Sequence, residues 1–435
     1  MDTIFAVASG MQRAGVAIIR VSGPTALLTY KNLTHRPVPL ARMATFGSFR
    51  DPSSRALLDK GMALYFPKPA SFTGEDVMEY HLHGGAAVVK GFLEVLSRQP
   101  DCRLAEPGEF TRRAFENGKI DLTAAEAVAD LVDAETEAQR TQALEQLAGH
   151  LARLYEGWAA VLQKILSHQE AEIEFPDEDM PEKLANSLIP EIDALIGEIR
   201  AHLDDGRRGE RLRTGVLIAI VGAPNAGKSS LLNALAQRDA AIVSEEAGTT
   251  RDVVEVHLDL GGYPVILADT AGLRETAGKV EAEGIRRAKK IAAQADIKLV
   301  LFDGTHAPDM ETQRMTDDDA IVVMTKADLK NFSAPGDALA VSSVSGAGVD
   351  QLLKTLTQRV SGLFGAKNGP SLTRERHRAA LRETVEALAR SRAAVLPELA
   401  AEDLRLALRA LGRITGRVHV EELLDRIFKD FCIGK

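Results

Sequence analysis

A glycine-rich run near the middle of the chain has the residue types and the spacing that bind phosphate groups. The segment 222–229, GAPNAGKS, follows an apolar stretch predicted to be a strand and precedes a predicted helix. In that context backbone N–H groups approach phosphate oxygens, and the helix dipole favours anions. Lys228 is expected to reach the β- and γ-phosphates, and the Ser229 hydroxyl to ligate magnesium. The run predicts a nucleotide site.

Two further segments have groups that complete magnesium coordination or sense the γ-phosphate. The segment 269–272, DTAG, follows a predicted strand, so Asp269 lies at a strand's carboxyl end, where α/β sheets bind ligands. Asp269 is expected to hold magnesium through water, and Gly272 to leave an unobstructed N–H for the γ-phosphate. The segment 248–252, GTTRD, precedes the second strand of the same unit. Its Thr250 is the candidate for the remaining magnesium ligand.

The segment 325–328, TKAD, predicts which base the nucleotide carries. The carboxylate of Asp328 is placed to accept hydrogen bonds from N1–H and the exocyclic amine of guanine, and adenine offers neither donor there. Leaving a buried carboxylate unpaired costs several kcal/mol, which selects GTP over ATP. Ser342 and Ser343, after the next predicted strand, are expected to cover the other edge of the base.

The residue after the DTAG segment bears on how GTP is hydrolysed. It is Leu273, at the position where Ras-like GTPases have a glutamine that orients water. Another group must position the water, and Glu281 lies a short loop away. The alternative interpretation of Glu281 is charge complementarity at a helix start. Asn225 offers an oxygen near the β–γ bridge, where potassium would neutralise developing charge.

The composition of the whole chain limits its partners and compartment. Its 435 residues include 53 Lys and Arg against 62 Asp and Glu, a net charge of −9. No general attraction to nucleic acid or anionic membrane follows, and any RNA contact must be local. Two cysteines give neither a disulfide framework nor metal-ligand spacing. With no targeting segment and no apolar run near the roughly 18 residues that span a bilayer, we expect a cytoplasmic protein without membrane contact.

The pattern of predicted strands and helices that must position these residues indicates a multidomain chain of α/β and α type. Residues 1–118 contain strand-like segments between turns, which predict an N-terminal α+β module. Residues 211–368 alternate apolar strands with helices, which predicts a parallel, doubly wound sheet of the Ras-like P-loop GTPase type. Residues 119–210 and 369–435 are helical by composition and spacing. We expect them to form one discontinuous helical domain into which the GTPase domain is inserted.

Two details of the helical stretches follow from the sequence. Thr123 and Glu126 fit a capping box at the start of the first stretch, and Pro190 is expected to interrupt the helical pattern. The last stretch is short for an independent domain, and its apolar face needs cover. We therefore expect it to pack against the helices of 120–205.

Three segments outside the GTPase unit carry a resemblance to a known family. They are 71–76 (SFTGED), 107–115 (PGEFTRRAF) and 431–435 (FCIGK). With them, the whole chain resembles the MnmE (TrmE) family of tRNA-modification GTPases, within the TrmE-Era-EngA-YihA-Septin-like class. The resemblance implies a homodimer that works with an FAD-containing partner, MnmG, in a heterotetramer. Together they add a carboxymethylaminomethyl or aminomethyl group to carbon 5 of wobble uridine in certain tRNAs.

The resemblance also implies cofactors and their residues. The N-terminal domain would form the homodimer and would bind a tetrahydrofolate derivative, the 5-formyl or methylene form, as one-carbon donor. Carried over by motif, the folate contacts fall on Arg20, Glu79, Lys119 and Lys435. Cations suit the glutamate tail of folate, and a carboxylate suits the pterin donors. Segment 8–14, ASGMQRA, departs from the more glycine- and proline-rich family pattern near this module.

For the nucleotide site, the resemblance implies GTPase domains that pair across potassium during hydrolysis, with Glu281 as the catalytic glutamate. The potassium ligands fall on Asn225, Ser244, Glu246 and Thr249, the second and third through backbone oxygens. Thr325 replaces the usual asparagine of the family. The residues expected to contact GTP are Asn225, Ala226, Gly227, Lys228, Ser229, Ser230, Ser244, Glu245, Glu246, Ala247, Gly248, Thr249, Thr250, Asp269, Thr270, Ala271, Gly272, Thr325, Lys326, Asp328, Ser342 and Ser343.

Three interpretations stay open at the level of sequence. Arginines at 405, 409, 413 and 417 recur every four residues, so they form either a tRNA-binding stripe or a solvated face paired with acids. Cys432 is either a functional thiol near the folate site or a buried small hydrophobic residue. For the whole chain, the alternative function is a regulatory GTPase switch acting in ribosome assembly, in which no substrate is chemically altered.

Overall fold

The computed structural model describes residues 2–10, 12–174, 182–238, 241–242, 254–269, 290–317, 320–336, 338–365, 369–418, 421–429 and 431–434. The chain divides into two compact units. The first comprises Met1–Ala129, Gln146–Leu188 and Glu386–Lys435, and the second comprises Asp130–Glu145 and Ile189–Val385. Within these described residues, each unit contains one sheet.

Strands and helices make up most of the described chain. The strands are β1 (Thr3–Val7), β2 (Ala14–Ser22), β3 (Thr45–Arg50), β4 (Leu57–Phe66), β5 (Val77–Gly84), β6 (Cys102–Leu104), β7 (Val216–Gly222), β8 (Val254–Leu260), β9 (Tyr263–Asp269), β10 (Ile297–Asp303), β11 (Ala320–Thr325) and β12 (Leu339–Ala340). The helices are α1 (Ala26–Thr34), α2 (Ala86–Ser97), α3 (Glu109–Glu116), α4 (Leu122–Val132), α5 (Glu137–Leu147), α6 (His150–Glu174), α7 (Glu182–Leu203), α8 (Arg208–Thr214), α9 (Lys228–Ala236), α10 (Met310–Gln313), α11 (Val349–Phe364), α12 (Glu375–Ala393), α13 (Pro397–Thr415) and α14 (Glu421–Phe428).

The sheet of the first unit has the strand order β3-β4-β5-β2-β1-β6. Its central strands β2 and β5 alternate buried apolar residues with polar ones, because successive side chains point to opposite faces. Ile19, Val21, Met78 and Tyr80 lie on one face, in a core that includes residues of α1 and α2. The opposite face therefore receives Arg20 and the other polar residues of these strands. This arrangement confirms the α+β module expected at the N-terminus.

The sheet of the second unit has the order β12-β11-β10-β7-β9-β8. Strands β7 and β10 are apolar along almost their whole length because both faces of the sheet are covered. Ile218 and Ile220 face one apolar cluster, and Ala219 and Val221 face another. The doubly wound sheet of the sequence analysis is confirmed.

Strand β8 departs from the parallel sheet that was expected, because it pairs with β9 in the antiparallel direction. The two strands are joined by Gly261 and Gly262, whose φ angles are 68° and 89°. Two consecutive residues with positive φ make the tight turn of a hairpin, and glycine adopts that conformation without steric cost. The antiparallel strand lies at the edge of an otherwise parallel sheet.

Two sequence expectations about the helices were wrong. The cap of α4 is Asp121 and not the Thr123–Glu126 box, because Asp121 Oδ1 accepts hydrogen bonds from the backbone N–H groups of Thr123 and Ala124. An aspartate before the first turn accepts these N–H groups as well as threonine would. Pro190 lies inside α7 and does not end it.

The apolar faces of the final helices pack against other helices of the first unit. Helix α13 packs along α6, as expected for a stretch too short to fold alone. Phe428 of α14 and Phe431 pack with Leu122 and Ala125 of α4. Among the described residues, no helix is both long and apolar enough to cross a bilayer.

Candidate functional site

The phosphate-loop segment joins β7 to α9 at the carboxyl edge of the second sheet. Gly222 lies so close to β10 that a Cβ there would be 2.5 Å from the carbonyl oxygen of Leu301. Gly227 precedes the first turn of α9 with a φ of 90°, and Asn225 adopts a φ of 63°. The loop thus has a left-handed geometry at two positions, which turns its backbone around a concave space at a helix N-terminus.

Lys228 reaches back into this loop. Its Nζ donates to the carbonyl oxygens of Gly222 and Ala223, both at 2.8 Å. The side chain is buried, and this burial lowers the pKa of Lys228, although the nearby Asp269 carboxylate opposes the shift. A phosphate group beside the ammonium would favour the charged form in the same way as Asp269 does.

Two oxygen groups expected to serve magnesium lie together. Ser229 Oγ, in the first turn of α9, donates to Asp269 Oδ2 at 2.7 Å, and Asp269 is buried at the end of β9. A hydroxyl and a carboxylate next to a phosphate-binding loop are the hard oxygen ligands that Mg²⁺ prefers. This pair fits the metal that the sequence analysis expected.

Thr325 replaces the family's asparagine and has a structural role. Its buried hydroxyl lies 2.7 Å from the carbonyl oxygen of Ala226 and 3.1 Å from that of Phe302. Donation from Thr325 Oγ1 therefore ties the phosphate loop to the ends of β10 and β11. Gly227 lies beside the Thr325 side chain, and its φ of 90° is a conformation that glycine adopts without steric cost.

The base-recognition residues lie in two adjacent loops of the same edge. Asp328 is exposed, and its Oδ1 accepts a hydrogen bond from Ser342 Oγ at 2.6 Å. The backbone N–H of Ala327 donates to the carbonyl of Val341, which holds the two loops together. Ser343 is half-buried beside them. One carboxylate oxygen is thus fixed by Ser342, and the carboxylate keeps capacity to accept from a base.

Sequence reasoning missed Asp303, which supports this loop from the end of β10. Lys326 Nζ donates to Asp303 Oδ2 at 2.5 Å, and Lys326 has a φ of 63°. Burial opposes ionisation of Asp303, but hydrogen bonds from Lys326 and Thr305 outweigh it and lower the pKa of the carboxyl. A carboxylate at the end of a predicted strand was the signal that could have found it.

Some of the predicted site residues are not placed by the structure. Those that lie outside the described residues are Ser244, Glu245, Glu246, Ala247, Gly248, Thr249, Thr250, Thr270, Ala271, Gly272, Leu273, Glu281 and Lys435. The remaining nucleotide residues, including Ala226 and the exposed Ser230, lie in or next to the phosphate loop or in the two base-recognition loops.

The first unit brings two of the expected folate residues together on the polar face of its sheet. Arg20 and Glu79 are register partners on β2 and β5, and the Arg20 guanidinium contacts Glu79 Oε1 at 2.9 Å. The same guanidinium lies over the rings of Phe72 and Phe110, at 5.9 and 5.7 Å from their centroids. An ion pair flanked by aromatic rings suits a flat, polar heterocycle.

His81 is a neighbour of this pair that sequence reasoning did not single out. Its Nε2 lies 3.7 Å from Glu79 Oε2, beyond hydrogen-bond distance. That nitrogen is buried and has no hydrogen-bond partner among the described residues. A polar ligand beside Glu79 would satisfy it, so the residues present fit a pterin.

Charged residues of segments 71–76 and 107–115, which carry the family resemblance, form part of a buried ion-pair network. Arg113 is buried and pairs with Glu109 at 2.9 Å, with Glu75 at 3.2 Å and with Asp2 at 2.8 Å. Arg103 also pairs with Glu109, at 2.6 Å. The network fixes α3 and the 71–76 loop against the sheet, and so holds Phe72 and Phe110 over Arg20.

Lys119 and the chain end lie on the same module. Lys119 Nζ donates to the carbonyl oxygen of Pro69 at 2.9 Å, in the loop that leads to Phe72. Ile433 bridges to Pro107, and a Cβ at Gly434 would be 2.0 Å from the carbonyl oxygen of Val7. Residues 433 and 434 therefore lie against the first module, with Gly434 beside the end of β1, the strand that pairs with the one carrying Arg20.

The structure bears on two interpretations left open by the sequence, those of the arginine stripe and of Cys432. Arg405 pairs with Glu170 of α6 at 2.9 Å, and Arg417 pairs with Glu156 of the same helix. Arg405 also pairs with Glu402, at 3.2 Å, so at least these two arginines are engaged with carboxylates, as the solvated-face interpretation requires. Cys432 is exposed, so it is not a buried small hydrophobic residue.

Comparisons with known proteins agree with this arrangement. A family model described as the GTP-binding protein TrmE N-terminus matches residues 3–119, and a model described as the MnmE helical domain matches residues 122–432. The chain is 55% identical to a tRNA modification GTPase MnmE from Parvibaculum lavamentivorans and 54% identical to one from Paramagnetospirillum magneticum, over the full length of each. It is 46% identical to the mitochondrial 5-taurinomethyluridine-[tRNA] synthase subunit GTPB3 of Danio rerio, covering all of this chain and 93% of that one.

Proposed function

Because the chain belongs to the MnmE family, we propose that it is a GTP-hydrolysing enzyme that takes part in modifying the wobble uridine of certain tRNAs. One observation carries the proposal. The phosphate loop, the Ser229–Asp269 pair and the Asp328 carboxylate meet at one edge of a doubly wound sheet. This edge has groups for phosphate, magnesium and guanine, in a chain that aligns over its full length with relatives named for tRNA modification.

The nucleotide site would work through charge placement. The N–H groups of the loop and the Lys228 ammonium would hold the β- and γ-phosphates, while Ser229 and Asp269 would hold magnesium. Asp328, oriented by Ser342, would accept from N1–H and the exocyclic amine of guanine. Replacing Asp328 with alanine should weaken GTP binding by a hundredfold or more and leave no preference for GTP over ATP. Fluorescent-nucleotide titration measures both.

Hydrolysis would use potassium and Glu281. Asn225 adopts a positive φ in the phosphate loop and is exposed, which leaves its side-chain oxygen accessible to a cation. Glu281 would position the attacking water, because Leu273 has no polar side-chain atom with which to do so. GTP turnover should be faster in potassium chloride than in sodium chloride at equal ionic strength. Equal rates in the two salts would remove the cation from the mechanism.

Glu281 has its own test. Glu281→Ala should abolish turnover and leave GTP affinity within about twofold of the wild type, because the residue would act on water and not on the nucleotide. Glu281→Gln keeps the shape of the side chain without the charge and serves as the matched variant. If Glu281→Ala turns over GTP at the wild-type rate, the glutamate only complements the charge of a helix terminus.

The polar face of the first sheet would bind the tetrahydrofolate derivative. Glu79 would accept from the pterin donors, His81 would gain the partner it lacks, and Arg20, Lys119 and Lys435 would serve the anionic tail. Isothermal titration of the purified chain with 5-formyltetrahydrofolate should detect binding that Arg20→Ala weakens at least tenfold. Lys90→Ala, on the exposed side of α2, is the control and should bind as the wild type does.

The partners follow from the family. We propose a homodimer that joins an FAD-containing protein of the MnmG type in a heterotetramer, and a cytoplasmic location. The relative from Danio rerio is itself named as a subunit. Mixing the purified chain with such a partner, GTP, folate and unmodified tRNA should produce a modified wobble uridine by mass spectrometry. An unchanged uridine mass in the complete mixture, from a chain that binds GTP and not folate, would support the regulatory switch instead.

A further inference from the structure

The edge hairpin of the first sheet has a concentration of positive charge in a chain that is acidic overall. Residues 31–68 run from α1 through β3 and β4 and include seven Lys and Arg residues against two Asp. These cations are Lys31, Arg36, Arg42, Arg50, Arg55, Lys60 and Lys68. Among the described strands, β3 is an edge of the sheet. A chain with a net charge of −9 can attract a polyanion only through such a local excess.

None of the seven cations forms an ion pair with a carboxylate within the described residues. Instead, Arg36 donates to the carbonyl oxygen of Phe46 at 3.4 Å, and Arg42 donates to the carbonyl oxygen of Ala70. A carbonyl oxygen orients a guanidinium but leaves its net charge uncompensated. The Arg36 and Arg42 guanidinium groups are therefore held against the backbone with their positive charge uncompensated.

The two acids of the segment are engaged elsewhere. Asp51 pairs with Arg98 of the loop after α2 at 3.0 Å, and Asp59 contacts His83 of β5 at 2.8 Å. Neither carboxylate neutralises a cation of the hairpin. Ion pairs within the described residues thus do not remove the local excess of charge.

Exposed apolar side chains lie among these cations. Phe46 on β3 is 66% exposed, and Leu40 and Met43, in the loop before the strand, are 70% and 55% exposed. If only charged residues lay here, they could be explained as a means of preventing the edge strand from pairing with a strand of another chain. That explanation does not account for an exposed aromatic ring beside charges of one sign. Basic groups that follow a phosphate backbone, with an aromatic ring on which a base stacks, are typical of contacts with unpaired nucleotides.

The row of cations also ends beside the candidate folate site. Arg42 donates to the carbonyl of Ala70, and Lys119 donates to the carbonyl of the preceding residue, Pro69. The 68–76 loop thus joins the hairpin to the segment that carries Phe72. An RNA strand along this edge would lie next to the residues proposed to hold the one-carbon donor.

We infer that residues 35–66, comprising the loop before β3 and the β3–β4 hairpin, form a docking surface for tRNA. We name this the basic edge. Its cations contact backbone phosphates, and Phe46 stacks against an unpaired base. The inference rests on the proposed function, because it names where the substrate of that reaction is held.

Charge reversal of the basic edge tests the inference in the full-length chain. The variant Arg36→Glu/Arg50→Glu/Lys60→Glu should bind tRNA at least tenfold more weakly, and its plot of log affinity against log salt should be flatter by about 2, since three phosphate contacts are lost. Phe46→Ala should weaken binding about tenfold without changing that slope. The control Lys90→Glu/Lys354→Glu/Lys429→Glu makes the same change of charge at exposed positions elsewhere and should bind as the wild type does.

Two further measurements separate the possible outcomes. GTP turnover and the mass of the protein in solution should be unchanged in the charge-reversal variant. If its affinity for tRNA equals that of the wild type, or falls no further than that of the control, the basic edge is not a docking surface. Weaker binding that accompanies a loss of dimer mass would make the edge a subunit interface and overturn the inference. If the wild-type chain binds no tRNA at all, the proposed function fails together with the docking surface.

Discussion

At the scale of single residues, Thr325 connects guanine recognition to the phosphate loop. It precedes the Lys326–Asp328 loop, and its hydroxyl is within hydrogen-bond distance of Ala226 and Phe302. An asparagine at this position has a longer side chain and two amide protons, so threonine keeps one link to the phosphate loop with less volume. The replacement is therefore compatible with a functional nucleotide site.

This role of Thr325 gives a direct prediction. Thr325→Val keeps the shape of the side chain but removes the one hydroxyl proton that the carbonyl groups of Ala226 and Phe302 share, at a cost of about 1–3 kcal/mol in the free energy of unfolding. GTP affinity should fall as well, because the phosphate loop is no longer tied to β11. Thr325→Ser keeps the hydroxyl and should lie close to the wild type in both urea denaturation and nucleotide titration. Equal stability of the valine variant and the wild type would show that the hydroxyl bonds are dispensable.

At the scale of elements, the end of α7 and the start of α12 are held together by charge within the second unit. Arg378 of α12 is buried and donates to the carbonyl of Leu203 at 2.6 Å, and it pairs with Asp205 at 2.7 Å and Glu210 at 3.3 Å. This cluster lies where α7 passes to α8, immediately before the phosphate-binding sheet begins in the sequence. The entrance to that sheet is thus fixed by an ion-pair network and not by a free linker.

His202, at the end of α7, makes this cluster sensitive to pH. Burial lowers the pKa of His202 from 6.5 to about 4, with Asp205 opposing the shift and Arg378 adding to it. The unfolded chain therefore binds a proton between pH 6.5 and 4 that the folded chain does not. The stabilisation is complete above about pH 6.5 and is lost as pH falls towards 4, about 3 kcal/mol in all. Chemical denaturation of wild type and His202→Gln at pH 7.5 and 4.5 measures it, and equal losses in the two proteins would exclude His202 as the cause.

The elements also show which features a sequence can predict. The phosphate loop and the buried strands around it have local signals, because a glycine pattern and an apolar run are readable over a few residues. The antiparallel β8 and the cap of α4 were misjudged, since Gly261–Gly262 and Asp121 compete with equally reasonable local patterns. The Asp303–Lys326 pair and the Arg113 network join residues distant in sequence, so their partners become visible only in the fold.

At the scale of the whole molecule, two kinds of chemistry occupy two units. The second unit contains the groups proposed for GTP and magnesium, and the first contains the polar sheet face proposed for folate and the basic edge proposed for tRNA. A regulatory switch requires only the groups for GTP and magnesium. A modification enzyme requires both, because the nucleotide supplies no carbon to the uridine.

The proposed function requires both this chain and its GTP site for modification of the wobble uridine. Its most direct test is mass spectrometry of tRNA nucleosides from cells that lack the gene and from the same cells complemented with variants. The carboxymethylaminomethyl or aminomethyl group at carbon 5 should disappear without the gene. The group should return with the wild type and with the surface control Lys354→Glu, but not with Ser229→Ala or Asp328→Ala. Persistence of the group without the gene, or full restoration by the Ser229 and Asp328 variants, would contradict it.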